Sequence, residues 1–391
     1  MKNIAVLGAT GSIGKNSLDV IRSNIDCFNP VLFSANNNAQ ALHSLAIEFP
    51  NAKIALCESN KPAQNTVSGT VFGGINSSRI YLGSKRLLEA IAQCGADIVV
   101  NGIAGAAGLL PSLAALQSGA NLALANKETI VMASSLVFKT ARENDALVIP
   151  VDSEHSAIFN LINAHGRENV REIIITASGG PFKNYSAAQL KNVRFKDALA
   201  HPTWNMGAKI TIDPASLANK GLEIIEAARL FDIAPDDIKV TVHPQSIVHS
   251  MVRLKNGAVF AECSMPDMRV PISDALFYPK VAESPFGLLD FDKLTLTFEK
   301  PDTERFPMLY FAYSALKKGA CWTIAYNAAN EEAVSAFALG KISFTDINNV
   351  CCQVLQDDFS GEPDTLEVIL EADKKARQAA KKNISIIARK M

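Results

Sequence analysis

The 391-residue chain lacks an excess of either charge: 38 Lys and Arg stand against 39 Asp and Glu, a formal net charge of −1. Such a balance sets up no global basic field to gather polyanions, so nucleic acid is not an expected partner. Cysteine is sparse: seven residues, an odd number, are scattered at 27, 57, 94, 263, 321, 351 and 352 without Cys-x-x-Cys spacing. This excludes a disulfide framework and fits a reducing cytosol. Long apolar runs are missing too. The most apolar stretch, Gly102 to Leu116, is interrupted by glycines and Pro111, short of the roughly 18 residues that a spanning helix requires. The amino-terminal apolar run breaks into glycine before it reaches the length of a signal h-region. The expectation is a soluble, cytoplasmic protein with no membrane partner. At 48% hydrophobic and 20% charged residues the composition is globular, and the length predicts two or three domains.

From Met1 to about Pro150, short β-branched runs (Ile4 to Leu7, Val31 to Ser34, Lys53 to Cys57, Ile98 to Val100, Leu122 to Ala125, Ala146 to Val151) alternate with amphipathic ones. That alternation predicts an α/β fold, a Rossmann-like doubly wound parallel sheet. Over 151–280 the strand candidates Glu172 to Thr176, Lys239 to Val242, His249 to Leu254 and Ala258 to Cys263 lie closer together, with a helix at Leu217 to Phe231. Neighbouring strands around Asn256-Gly257 suggest a hairpin, hence an α+β domain. A proline-bearing connector is expected over 281–306. Beyond it, Leu309 to Lys318, Thr323 to Ala338, Phe344 to Gln356 and Thr365 to Lys382 all have helical period, predicting a C-terminal helical bundle over 307–391.

The strand Ile4 to Leu7 runs into Gly8-Ala9-Thr10-Gly11-Ser12-Ile13-Gly14 and an amphipathic helix. Glycines there permit a tight turn, close approach of a pyrophosphate and packing of the helix on the sheet, so the segment reads as a dinucleotide site or, more plainly, a tight structural turn. The second strand ends Ala35-Asn36-Asn37-Asn38, with no carboxylate to repel a 2′-phosphate; NADP is favoured over NAD, although no Arg or Lys stands at that turn.

A second group of residues is acidic. Strand Leu147 to Val151 ends in Asp152-Ser153-Glu154-His155, and carboxylates at i and i+2 on extended backbone share one side. A third oxygen ligand is available from the helix beginning Asn219-Lys220-Gly221-Leu222-Glu223, where Asn219, Glu223 and Glu226 fall on one face. Carboxylates without cysteine or paired histidine suit Mg²⁺ or Mn²⁺; the alternative for Asp152 and Glu154 is a helix cap with its dipole partner. Ser178-Gly179-Gly180 is an anion nest or an ordinary loop. His201-Pro202-Thr203-Trp204-Asn205-Met206-Gly207 suits a lid, or a tryptophan plugged into the core. Lys127, after the strand Leu122 to Ala125, lies near the cofactor crevice or starts a surface helix.

These segments, in order and along nearly the whole chain, together with His-Pro-Gln-Ser-Ile-Val-His-Ser-Met-Val, Pro-Asp-Met-Arg and Asn-Ala-Ala-Asn-Glu, resemble those of the 1-deoxy-D-xylulose 5-phosphate reductoisomerase family. The resemblance implies an oxidoreductase that uses NADPH and Mg²⁺ or Mn²⁺, acts on a sugar phosphate and forms a homodimer through its central domain. It implies that Asp152, Glu154 and Glu223 hold the metal; that Ser178, Asn219 and Lys220 hold the substrate phosphate with His249 nearby; that Ser153 and Lys127 meet substrate hydroxyls; and that His201, Trp204 and Met206 close a lid. Cofactor contacts fall to Gly8, Thr10, Gly11, Ser12, Ile13, Ala35, Asn36, Asn37, Asn38, Asn126, Glu128 and Gly207.

The chain departs from the family pattern twice. Where relatives usually read Asp-Ser-Ala-Thr it has Asp213-Pro214-Ala215-Ser216, and proline brings neither hydroxyl nor N–H to the phosphate. Where they often have Gly and a basic residue it has Asn36-Asn37. Two other readings compete: a semialdehyde dehydrogenase-like enzyme, for which Cys263 is poorly placed as nucleophile, and a non-catalytic NADP and sugar-phosphate sensor.

Overall fold

A computed structural model describes residues 1–58, 72–198 and 213–389. Contacts divide the chain into two compact units, one of Met1–Thr129, Val137–Asp152 and Asp267–Phe286, the other of Ile130–Leu136, Ser153–Pro266 and Gly287–Met391.

In the first unit, β1 (Lys2–Leu7), β2 (Phe28–Ala35), β3 (Lys53–Leu56), β4 (Ile80–Leu82), β5 (Ile98–Asn101), β6 (Asn121–Leu124) and β7 (Val148–Pro150) form one sheet in the order β4-β3-β2-β1-β5-β6-β7. Every neighbouring pair is parallel. Ile4, Ala5, Val6, Leu7, Val99 and Val100 are completely buried, as central strands covered on both faces require. The strand order reverses between β1 and β5, and the turn from Gly8 to Gly14 leaves β1 at that switch point, where open α/β sheets bind ligands. Sequence periodicity misses β4, only three residues long and too short to show alternation. The helix Arg269–Phe277, placed by sequence in the central domain, packs here on the helix Ser12–Ser23, with Phe277 edge-on to Phe28 at 4.8 Å.

The second unit holds a mixed sheet, β11-β10-β8-β9, of β8 (Val170–Ala177), β9 (Ile238–Val242), β10 (Val248–Leu254) and β11 (Val259–Cys263). The expected hairpin joins β10 to β11; Gly257, at φ 89°, supplies the left-handed residue of its turn. The connector lays Glu299 against Val242 with two backbone hydrogen bonds of 2.8 Å, covering part of the edge that β9 would otherwise expose. Helices Met308–Lys318, Trp322–Ala338, Phe344–Val354 and Leu366–Ala388 follow, as periodicity predicts, and no described helix is long and apolar enough to cross a membrane.

Candidate active site

At the cofactor end, Gly8 takes φ 72°, and a Cβ there would lie 3.0 Å from the Gly102 carbonyl oxygen. A Cβ on Gly14 would lie 2.4 Å from both Ala9 Cα and the Gly8 oxygen, so the helix Ser12–Ser23 reaches the turn only because this position is bare. Gly11 caps that helix without a side-chain bond, and no acidic residue stands in its first turn, which leaves its positive end suited to an anion. Of the three amides after Ala35, Asn36 and Asn37 are exposed, while Asn38 caps the next helix by accepting from Ala41 N–H at 3.1 Å. Asn126 and Glu128 turn inward. The Asn126 amide donates to the carbonyls of Ile103 (2.7 Å) and Gly105 (2.9 Å), and Glu128 accepts from Gly105 N–H (3.1 Å), so both brace the loop that follows β5.

The acidic group is built differently from the sequence expectation. Strand β7 stops at Pro150 and a helix begins at Ser153, so Asp152 and Glu154 do not share a side by strand alternation. Glu154 instead projects from the first turn of the helix Ser153–His165, where a carboxylate also complements the helix dipole. The Ser153 hydroxyl donates to Glu154 Oε2 at 2.7 Å and fixes its rotation. Glu223, 1% exposed, comes from the helix Ala218–Leu230. Between them sits the Lys220 ammonium, 2.7 Å from Glu154 Oε1 and 2.5 Å from Glu223 Oε2. Burial pulls the Lys220 pKa down, but the two carboxylates override it and the pKa is raised; the ammonium stays charged. Asn219 donates to the other Glu223 oxygen one turn away. Asp152, peptide-bonded to Ser153, pairs with the Lys127 ammonium. Ligand oxygens of Asp152, Glu154 and Glu223 all lie within 4.8 Å of one another.

This all-carboxylate donor set fits a hard divalent cation. Two ammonium groups, Lys127 and Lys220, offset two of the three negative charges, and the remainder favours a further cation.

The sequence places Glu226 on one helix face with Asn219 and Glu223 but does not pair it with His155. His155, fully buried, reaches the Glu223 backbone oxygen through Nε2 at 3.0 Å, and its Nδ1 lies 3.3 Å from Glu226 Oε2. Glu226 thus meets His155, while Glu223, one turn earlier on the same helix, meets Lys220. The only signals were position: His155 follows a ligand, and Glu226 is one turn beyond another.

Strand β8 delivers Ser178 to a turn in which Gly179 and Gly180 have φ of 87° and 70°. The Ser178 Oγ accepts from Gly180 N–H at 3.3 Å, and a Cβ on Gly180 would lie 2.4 Å from the Pro214 oxygen. The Ser216 hydroxyl, 2% exposed, is turned to its own segment, donating to the Asp213 oxygen and accepting from Ala218 N–H, both at 3.3 Å. On β10, His249 Nε2 is 2.8 Å from Ser264 Oγ; burial, against the opposing pull of Glu154, holds its pKa below the usual value. His201, Trp204, Met206 and Gly207 lie outside the described residues.

Models of reductoisomerase domains match residues 4–134, 148–231 and 263–379. The 1-deoxy-D-xylulose 5-phosphate reductoisomerase of Treponema denticola is 48% identical over 97% of this chain and 96% of that protein. The chain belongs to the 1-deoxy-D-xylulose 5-phosphate reductoisomerase family. The family member from Chlorobaculum tepidum is 46% identical over 98% of this chain and its own entire length. Among solved structures, the Zymomonas mobilis reductoisomerase in complex with NADPH superposes with a TM-score of 0.89 at 41% identity, covering 98% of this chain and 99% of that one. A reductoisomerase in complex with NADPH, fosmidomycin and magnesium also gives 0.89, at 38% identity and 99% coverage of both chains.

Proposed function

We propose that this reductoisomerase-family chain converts 1-deoxy-D-xylulose 5-phosphate and NADPH to 2-C-methyl-D-erythritol 4-phosphate with the aid of Mg²⁺ or Mn²⁺, a step of non-mevalonate isoprenoid synthesis. The observation that carries the reading is the convergence of Asp152, Glu154 and Glu223, with the buried Lys220 ammonium between the last two. These carboxylates would hold the metal, which supplies Lewis-acid polarisation of the substrate's carbonyl and adjacent hydroxyl oxygens. Ser153 and Lys127 meet substrate hydroxyls; Lys127 also keeps Asp152 paired. Ser178, Asn219 and Lys220 hold the phosphate, with His249 at its edge, so that binding energy remote from the reacting carbons orients them. Glu154 and Glu223, which would hold the metal, are the same carboxylates that now pair with the Lys220 ammonium. His201, Trp204 and Met206 form the lid in this reading. NADPH is held by the Gly8 to Ile13 turn and by Ala35, Asn36, Asn37 and Asn38, with Asn126, Glu128 and Gly207 completing the site; the skeleton rearranges before hydride arrives.

The division of labour follows the chain, 1–150 for NADPH, 151–280 for catalysis and dimer formation, 281–306 as linker and 307–391 as bundle, except that Asp267–Phe286 belongs to the first compact unit. A homodimer is supported by the sheet edge at β11, where Val259 and Phe260 are exposed at 43% and 39%. A cytoplasmic location is supported by all seven cysteines being free thiols.

Purified protein with Mg²⁺ should oxidise NADPH only when deoxyxylulose phosphate is added, read at 340 nm, and chelation by EDTA should stop the reaction until Mg²⁺ or Mn²⁺ is restored. Folded, metal-saturated protein that leaves the absorbance unchanged would instead identify a sensor. Pro214→Ser should lower the substrate KM by about fivefold, the worth of one hydrogen bond of about 1 kcal/mol. Since the Ser216 hydroxyl is engaged within its own segment, it does not stand in for the missing donor. An unaltered KM would show that the phosphate does not reach position 214.

A further inference from the structure

The helix Trp322–Ala338 runs through the bundle with an unusual stripe. Thr323, Tyr326, Asn327 and Asn330, at spacings of three and four, are exposed by 3%, 0%, 0% and 0%. Polar groups so placed are costly unless bonded, and a bundle helix needs none of them for packing. Two of them reach one segment. The Asn330 amide donates to Asp213 Oδ1 at 2.9 Å, and the Tyr326 hydroxyl approaches the carbonyl oxygens of Ala218 (3.3 Å) and Met308 (3.2 Å). Their targets bracket the stretch 213–218, which leads directly into Asn219 and Lys220.

That stretch is bent under strain. Leu217 caps the helix at φ 61°, a left-handed conformation unfavourable for a branched side chain, with no side-chain cap bond. The bend sets the direction in which Asn219 and Lys220 leave the helix start. Gly221 belongs to the same device: a Cβ there would lie 2.2 Å from the Tyr326 hydroxyl oxygen, so the tyrosine tip lies against the helix only because that residue is bare.

We propose that Asn330 and Tyr326 are positioning residues for the phosphate cradle, holding the strained segment at Asp213 and at Ala218 so that Asn219 and Lys220 meet the substrate phosphate. This rests on the phosphate reading given above.

The test compares full-length Tyr326→Phe, Asn330→Ala and Asn219→Ala with the parent. Expected for the first two is a deoxyxylulose phosphate KM raised at least fivefold, a matching weakening of inorganic phosphate binding by calorimetry, and kcat and NADPH KM within twofold. Tyr326→Phe keeps the ring and its packing, so it reports even if Asn330→Ala fails to fold. A lowered Tm with KM and phosphate affinity unaltered in Tyr326→Phe would overturn the proposal, leaving a core role alone. If Asn219→Ala raises KM while the other two do not, only this proposal falls; if Asn219→Ala also leaves KM unaltered, the phosphate reading falls and takes the proposal with it.

Discussion

Glu154→Gln should lower kcat by at least ~10³, a loss of about 4 kcal/mol of transition-state stabilisation, while leaving NADPH affinity within about twofold. The substitution preserves shape: the amide oxygen can still accept from Lys220 while the amide NH2 donates to the Ser153 hydroxyl, so the helix Ser153–His165 keeps its start. What disappears is one of three negative charges whose oxygens lie within 4.8 Å of one another. With that charge gone, the two remaining carboxylates face two ammonium groups, and the attraction for a divalent cation falls steeply. NADPH affinity is expected to hold because Glu154 is not among the proposed cofactor contacts. Steady-state kinetics at 340 nm with fluorescence titration of NADPH separates the two effects. A collapse of NADPH affinity alongside normal metal dependence would refute the assignment of Glu154.

Lys220→Met should destabilise the metal-free protein by about 3 to 5 kcal/mol, because removing one partner of a buried ion pair strands the other. Here it strands two: Glu154 and the almost wholly buried Glu223 keep their oxygens close with no cation between them. Methionine retains most of the lysine stem's packing, so the effect is electrostatic rather than a cavity. Addition of Mg²⁺ should then raise the Tm of the variant by more than it raises that of the parent, since a dication replaces the lost ammonium and need not displace it. Turnover should remain low in Mg²⁺, with a substrate KM raised at least ~100-fold, the expected result of removing the buried charge proposed to hold the phosphate. Thermal denaturation with and without Mg²⁺ reads the first effect. Equal stability of variant and parent in EDTA would show that the ammonium does not hold the carboxylates together.

Much of this architecture is legible one residue at a time. The alternation of short apolar strands with amphipathic helices prescribes a parallel sheet, since each strand must be covered on both faces, and Gly8, Gly11 and Gly14 mark a turn where backbone must approach backbone. The bundle helices follow from period alone. Residue type, too, was sufficient for the metal class: carboxylates at 152, 154 and 223 without thiols point to a hard cation.

Periodicity does not reach the way those carboxylates meet. Alternation along a strand suggested that Asp152 and Glu154 share a side, but β7 ends first, and Glu154 is aimed by a helical turn and a serine hydroxyl. Nor does local sequence tell that Lys220 turns in between Glu154 and Glu223, that His155 meets Glu226, or that Tyr326 and Asn330 reach back more than a hundred residues to the segment 213–218. The sequence determined the elements, because secondary structure and ligand chemistry depend on neighbours a few residues apart. Which charges neutralise one another was decided only by the tertiary structure, because Coulomb energy and hydrogen bonding depend on distance in space, and folding sets that distance independently of separation along the chain.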